Sequence, residues 1–230
     1  RFFNNFVNLS YNRLVRTIRE DIRREDNRIQ PSDRSVCHWL TAFSLAFHLN
    51  DTREKRKTNP AALFDHSLIS VALSVSEIQQ LGIAFGRYRV DKDYTNLTLV
   101  LDCLRAVVCV TKAMTPTGDE VVTGPAAIQA RIAQTIQTNM VYDPDVFLNP
   151  LTALIRQPSP RIPRSFYVSL ILLVDELVDM LEMYDAAHRT LFVKKREVRR
   201  KTRKTGEESK PVDEQAKDAD AEGAEGTGVV

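Results

Sequence analysis

The segment Tyr94–Met114 restricts the fold of this chain more than any other part of the sequence. Its apolar residues recur at helical spacing and form two neighbouring stripes. The first stripe consists of Leu97, Leu101, Leu104 and Val108, and the second of Val100 and Val107. A helix that is apolar over so much of its circumference needs other helices to cover it on several sides. We therefore expect this helix to be the most buried one in a core of several helices.

Helical spacing also dominates the rest of residues 2–193, whereas strand signals are scarce. Only residues 120–123 have the composition of a short ribbon, and no run alternates at period two between turn dipeptides. The sequence therefore predicts an all-α class. About seven antiparallel helices, several with two apolar faces, favour stacked helix pairs over a four-helix bundle. We expect an armadillo/HEAT-like helical repeat, that is, a fragment of an α-solenoid.

Two helices are predicted in the first fifty residues. The first covers residues 2–24, and its buried stripe is expected to consist of Phe2, Phe6, Leu14, Ile18 and Ile22. The second starts at the turn formed by residues 31–33 and ends near Leu49. Its core stripe is expected to consist of Val36, Trp39, Leu40, Phe43 and Phe47. Residues 50–60 contain no apolar residue and end on proline, which predicts a solvated loop.

Cap and breaker residues organise the later part of the chain. Ser74 or Ser76 is expected to cap a helix that carries Ile78, Leu81 and Phe85 on one face. Residues 115–125 contain two prolines and two glycines, and helices are predicted to follow at about residues 126–140 and 144–155. Ser165 is expected to cap the longest helix, because the three prolines of residues 157–164 cannot continue one.

The charges of the chain are distributed unevenly. The 32 Lys and Arg residues against 30 Asp and Glu residues give a net charge of +2. Residues 205–230 carry −6 and residues 194–204 carry +7, which leaves +1 for residues 1–193. The acidic segment has too few apolar residues to fold, so we expect a disordered tail. The predicted organisation is a helical-repeat domain over residues 1–193, a basic segment over 194–204 and a tail over 205–230.

The basic segment needs an explanation outside the fold, because like charges packed this densely repel one another. A phosphate-binding arm and a nuclear localisation signal both fit it, and both place the protein in the nucleus. The residues that would contact the DNA backbone are Lys194, Lys195, Arg196, Arg199, Arg200, Lys201, Arg203 and Lys204. Such contacts give affinity without a preference for a base sequence.

A second group of basic residues lies on the first predicted helix. Arg16, Arg19 and Arg23 are spaced to share one helix face, where they would reach phosphates along a duplex. Glu20 and Asp21 dilute this positive charge. Intrahelical ion pairs are therefore the alternative interpretation, and the one that we favour.

Several function classes lack their sequence signals. The longest apolar run, over residues 170–174, is far shorter than the roughly 20 residues of a membrane span, and no secretory signal follows Arg1. The three cysteines are scattered, which argues against a disulfide framework. A glycine-rich phosphate loop, a zinc-binding histidine pattern and a nucleophile elbow are all absent from the sequence. We therefore expect no enzyme activity, no cofactor and no metal.

Four blocks of the sequence resemble the Timeless family, the large subunit of the replication fork protection complex. They are SYNRLVRTIREDIRRED at residues 10–26, HWLTAFSLAFH at 38–48, RIAQTIQTNMVYDPDVFL at 131–148 and PRSFYVSLILLVDELVDMLEMY at 163–184. The blocks and the basic run that follows them have the order and approximate spacing of that family. The chain is similar to the later half of the N-terminal helical-repeat region of a fungal member.

The resemblance implies an armadillo-like fold without enzymatic activity. It also implies a Tipin-family subunit as partner, association with the replicative helicase, contact with double-stranded DNA, and support of Claspin-type checkpoint signalling. The sequence thus predicts a nuclear, non-catalytic scaffold that binds the DNA backbone. The alternative is a nuclear protein-interaction adaptor whose basic run is only a localisation signal, and a third possibility is an unrecognised hydrolase.

Overall fold

The described part of the chain consists of helices and the turns between them. The computed structural model describes residues 2–24, 29–59, 62–116, 123–142, 147–156 and 162–187. Its elements are α1 (Phe2–Phe6), a π-helical turn (Val7–Tyr11), α2 (Asn12–Arg24), α3 (Pro31–Thr58), a 3₁₀ turn (His66–Ile69), α4 (Val75–Asp91), α5 (Tyr94–Met114), α6 (Pro125–Tyr142), α7 (Leu148–Arg156) and α8 (Arg164–Ala187). No strand occurs in these ranges, so the all-α prediction is confirmed and the chain is a helical-repeat fragment.

Helix α5 lies at the centre of the core, as its two apolar stripes predict. It packs against α3, α4, α6 and α8. The residues of both stripes are buried, and Leu97, Leu101 and Val107 have no exposed surface. Each fully buried aliphatic side chain of this size contributes about 1.5–3 kcal/mol relative to exposure. The hydrophobic stability of the described fold therefore depends most on this helix.

Two side-chain caps fix the connection between α4 and α5. The hydroxyl of Ser74 accepts the N–H of Glu77 at 3.2 Å and starts α4, which confirms one of the two predicted caps. Lys92 ends α4 in the left-handed region with φ of 57°. The carboxylate of Asp93 then accepts the N–H of Asn96 at 3.1 Å and starts α5. Such caps satisfy backbone donors that a helix start leaves unpaired, so the two helices follow one another through a tight turn.

The first helical stretch buries a different stripe from the predicted one. Val7, Tyr11 and Val15 are buried, whereas Phe2 and Leu14 are 84% and 39% exposed. The prediction assumed one uninterrupted α-helix. The π-helical turn between α1 and α2 has a longer hydrogen-bonded repeat than an α-helix and shifts the helix faces relative to each other. The prediction is therefore wrong for Phe2 and Leu14, whereas Phe6, Ile18 and Ile22 of the predicted stripe are half-buried and Phe6 packs against the core.

Helix α3 continues to Thr58, so the predicted loop over residues 50–60 is wrong over most of its length. Polar contacts, rather than apolar side chains, stabilise this last part of the helix. The Arg56 side chain donates to the carbonyl oxygens of Ala62 at 3.0 Å and of Ala113 at 3.3 Å. Lys55 also pairs with Asp51 one turn earlier, at 2.6 Å. Pairs at this spacing stabilise a helix by a few tenths of a kcal/mol each.

Helix α3 also buries another face than the one predicted. Val36, Trp39 and Phe43 are 61%, 53% and 42% exposed. The buried residues of α3 are Cys37, His38, Thr41, Ser44, Leu45, His48, Leu49 and Thr52. Cys37, Thr41, Ser44 and Thr52 among them are small. The hydroxyl of Thr41 also donates to the backbone carbonyl of Cys37, one turn earlier, at 2.8 Å. The small side chains allow α5 to approach closely enough for the Cys103 thiol to donate to the carbonyl of His38.

Helices α6, α7 and α8 complete the described fold. Helix α7 begins four residues later than the predicted position 144, and α8 begins one residue before the predicted cap Ser165. Lys112 of α5 binds the carboxylates of Glu176 and Asp179 on α8 at 2.7 Å each. These two acidic residues thus help to hold α8 against α5. Among the described residues, no helix has the length and apolar character that crossing a membrane requires.

Candidate functional site

The structure describes three of the eleven residues that the sequence predicts to bind DNA. The eight basic residues of the segment 194–204 lie outside the described residues. Arg16 and Arg23 are exposed on α2. Arg19 has a side chain that is only 13% exposed and forms an ion pair with Glu77 of α4. The predicted arginine face is therefore divided, because Arg19 contributes to helix packing while Arg16 and Arg23 face solvent.

The ion pair between Arg19 and Glu77 lies inside the fold. The Glu77 side chain is 5% exposed, and its backbone N–H is held by the Ser74 cap at the start of α4. Burial raises the pKa of Glu77 above its ordinary value, and the positive charges of Arg19 and Arg23 oppose that rise. Removal of one partner from a buried pair leaves the other charge uncompensated, which costs about 3–5 kcal/mol. The pair therefore connects α2 firmly to α4.

A cleft of about 180 Å³ opens beside this ion pair, between α2, α3 and α4. Four arginines line it: Arg19 and Arg23 from α2, Arg34 from α3 and Arg87 from α4. Glu77 is the one carboxylate among the described residues that line it. We call this site the arginine cleft.

His38 forms part of the wall of the arginine cleft and is itself only 4% exposed. Burial, together with the positive charges of Arg19 and Arg34, lowers the pKa of His38 to about 3. The imidazole is therefore neutral at physiological pH. Its ring packs edge-on against Tyr88 with the centroids 6.1 Å apart. Within the described ranges, the Nδ1 atom of His38 and the Nε atom of Arg19 have no hydrogen-bond partner.

Aromatic rings cover a second surface, formed by α1 and α3. Trp39 and Phe43 stack with their ring centroids 5.3 Å apart. Phe3 packs edge-on against Phe43 and Phe47 at 4.8 and 4.6 Å. Because Trp39 and Phe43 remain about half exposed, we call this group the aromatic surface. Exposed aromatic clusters of this kind are typical of protein interfaces.

The thiols of the described residues have little nucleophilic character. Burial raises the pKa of Cys37 and Cys103 above its ordinary value and raises the pKa of Cys109 to about 11. A thiol in that range is protonated at neutral pH, and the thiolate is the reactive form. No group of three His, Cys, Asp or Glu side chains in the described ranges has the arrangement of a metal site.

Comparison with known proteins gives distant relatives. No protein-family model matches the chain. It is 23% identical over 209 residues to Topoisomerase 1-associated factor 1 of Cryptococcus neoformans var. neoformans serotype D, strain JEC21, and 23% identical over 205 residues to the protein of the same name from strain B-3501A. The alignments cover 88% and 86% of this chain but 18% of each relative. These relatives are Timeless-family proteins, so the similarity loosely supports the family resemblance and a fungal relationship.

Proposed function

We propose that this chain is part of a non-catalytic nuclear scaffold that acts in a replication fork protection complex and supports the DNA replication checkpoint. The observation that carries the proposal is the similarity to Topoisomerase 1-associated factor 1 over 88% of the chain. The all-helical fold supports it, since stacked helices provide extended surfaces for partners. Because the chain spans less than a fifth of these relatives, the proposal concerns one part of such a scaffold.

The proposed protein partners are a Tipin-family subunit, the replicative helicase and a Claspin-type checkpoint mediator. The names of the relatives add a topoisomerase 1. The aromatic surface supports protein binding, because stacked rings such as Trp39 and Phe43 provide large contact area at little cost in side-chain entropy.

The proposed nucleic-acid ligand is the backbone of double-stranded DNA. The segment 194–204 carries most of the available positive charge, because residues 1–193 have a net charge of only +1. Arg16 and Arg23 are exposed on α2 and would add two contacts. The ion pair of Arg19 with Glu77 makes it the weakest of the eleven candidates. If six cations contact phosphates, a plot of log Kd against log salt concentration has a slope of about 5. The affinity then falls roughly a thousandfold between 50 and 200 mM salt.

Titration of a labelled duplex at several salt concentrations tests the DNA proposal. We expect the triple variant Arg199→Gln, Arg200→Gln, Lys201→Gln to reduce the salt slope by about 2.7, since each phosphate contact contributes roughly 0.9. The matched control changes Arg53, Lys55 and Lys57 of α3 to Gln, which removes the same charge from another surface. The control is expected to keep nearly the full slope.

Two results would decide against DNA binding by the basic segment. Equal slopes for both triple variants would mean that affinity follows net charge alone. Unchanged affinity after replacement of all eight segment cations by Gln would favour the adaptor, in which the segment only directs nuclear import.

Co-expression with a Tipin-family subunit followed by gel filtration tests the partner proposal. We expect the two chains to elute together, and the change Trp39→Ser to weaken their association by tenfold or more if the ring is an interface anchor. The matched control is Val90→Ser, because Val90 is 75% exposed on α4 and does not belong to the aromatic surface. Elution of the wild-type chain alone as a soluble monomer would contradict the pairing.

A further inference from the structure

We propose that the solvent-facing side of helix α8 is a docking surface for a basic amphipathic helix of a partner protein. Four large aliphatic side chains are exposed on this side: Val168 (48%), Ile171 (65%), Leu172 (37%) and Val178 (47%). The same side exposes the carboxylates of Asp175, Glu182 and Asp185. We call these seven residues the α8 outer face. The inference goes beyond the proposed function and does not rest on it, because the protein interface proposed there is the aromatic surface of α1 and α3.

Helix α8 has two apolar sides, and the described fold uses only one of them. Residues three and four positions apart share a helix face, and the members of the α8 outer face follow that spacing from Val168 to Asp185. The opposite side packs mainly against α5. Its buried residues are Phe166, Leu170, Leu173, Leu177, Met180 and Tyr184. A side that served solubility alone would not carry four large aliphatic residues, so the outer face needs a partner to cover it.

The carboxylates in the second half of the α8 outer face are not explained by helix stability. Like charges one helical turn apart destabilise a helix, and Glu182 lies three residues before Asp185 and three after Asp179. Lys112 of α5 compensates Asp179 at 2.7 Å. Asp175, Glu182 and Asp185 form no ion pair with another residue of the described ranges. Cations from outside the described fold would therefore relieve a repulsion that the helix itself leaves in place.

Charge complementarity determines which partner fits the α8 outer face. Its aliphatic half suits aliphatic side chains, and its acidic half suits Lys or Arg side chains beyond them; complementary charges of this kind fix the register of a complex. The face is about 26 Å long at 1.5 Å per residue, so an amphipathic helix of about five turns would contact both halves. A second copy of this chain fits less well, because its own outer face offers no cation to Asp175 or Glu182. Nucleic acid is repelled by the same carboxylates.

Fluorescence polarisation on the full 230-residue chain tests the proposal. The probes are two labelled Ala-based helical peptides of about five turns, with Leu in one half of one face and Lys in the other half, in the two possible orders. Matching peptides carry Glu in place of Lys. We expect one Lys peptide to bind at least tenfold more tightly than its Glu counterpart. The change Ile171→Ser should weaken this binding by about tenfold if the side chain is an interface anchor, whereas the control Ile83→Ser, at a residue of α4 that is 57% exposed, should not.

A charge variant tests the acidic half separately. The triple change Asp175→Asn, Glu182→Gln, Asp185→Asn should reduce the preference for the Lys peptide by about tenfold, as expected for the loss of three exposed ion pairs. The matched control removes the same charge from exposed positions of α2 and α4, through Glu20→Gln, Asp21→Asn and Asp91→Asn, and should keep the preference. Thermal unfolding of every variant separates a binding defect from a folding defect.

Four results would overturn the proposal. Full binding by the Ile171→Ser variant would exclude the α8 outer face, and equal losses in the two triple variants would mean that binding follows net charge alone. Self-association of the wild-type chain in gel filtration that Ile171→Ser abolishes would assign the face to a second copy. Tighter peptide binding after replacement of the eight cations of residues 194–204 by Gln would assign it to the chain's own basic segment. None of these results bears on the aromatic surface or on duplex binding.

Discussion

His38 is expected to make folding stability depend on pH in a window where most other groups do not titrate. Its ordinary pKa is 6.5, and in the folded chain burial and the charges of Arg19 and Arg34 lower it to about 3. Between these values the unfolded chain binds a proton that the folded chain does not. Stability that His38 contributes is therefore complete above pH 6.5 and is lost as the pH falls toward 3.

The size of this effect follows from the shift. At pH 5 the imidazole of the unfolded chain is almost fully protonated and that of the folded chain is neutral, which corresponds to a loss of about 2 kcal/mol relative to pH 7.5. The full shift would correspond to about 5 kcal/mol at lower pH. Carboxylates also titrate there, and the raised pKa of Glu77 acts in the opposite direction. The cleanest window is therefore pH 7.5 to 5.

Urea unfolding at both pH values measures the effect. The variant His38→Gln has no group to titrate at this position, so its stability should fall less than that of the wild-type chain over the same pH interval, by about 2 kcal/mol. Differences between two pH values cancel the pH-independent cost of the substitution. Nuclear magnetic resonance of the imidazole gives an independent measurement, in which His38 should stay neutral at pH 5. An equal fall in both chains, or protonation of His38 near pH 6, would refute the argument.

Three further substitutions test how the fold is held together. The change Glu77→Gln should cost about 3–5 kcal/mol in urea unfolding, because it leaves Arg19 buried without a counter-charge, whereas Glu54→Gln in an exposed pair should cost less than about 1 kcal/mol. The change Leu101→Ala should cost about 2–5 kcal/mol through the cavity that it leaves in α5; the exposed Val90→Ala should stay within about 0.5 kcal/mol. The change Ser74→Ala should cost about 1 kcal/mol and accelerate hydrogen exchange in the first turn of α4.

The sequence predicts the centre of the fold better than its edges, for a physical reason. Helix α5 is apolar on several sides, so every plausible packing buries Leu101 and its neighbours. Helix α3 carries large rings on one face and small residues such as Thr41 and Ser44 on another. Hydrophobicity alone selects the rings, but close approach of α5 selects the small face. On that face the hydroxyls of Thr41 and Thr52 donate to the backbone carbonyls of Cys37 and His48, one turn earlier. That choice depends on tertiary packing, which a single sequence does not contain.

The same limit explains what could be predicted of the candidate sites. The charge run of residues 194–204 is visible because its members are contiguous. The arginine cleft is not, since Arg34 and Arg87 are far apart in the sequence and each belongs to an ordinary polar helix face. The partner of Arg19 is also distant in sequence, so spacing on α2 suggested pairing with its own helix or with DNA. Only the structure shows that Arg19 forms an ion pair with Glu77 of α4.

The ion pair of Arg19 with Glu77 reduces the positive charge that α2 offers to DNA. Three unpaired arginines on one face of α2 would let the helical body contact several phosphates of a duplex. With Arg19 neutralised by Glu77, Arg16 and Arg23 are two isolated contacts, and two contacts supply a salt slope of only about 1.8. Arg23 also lines the arginine cleft. In the proposed function, long-range attraction to DNA therefore comes mainly from residues 194–204, which carry a net charge of +7.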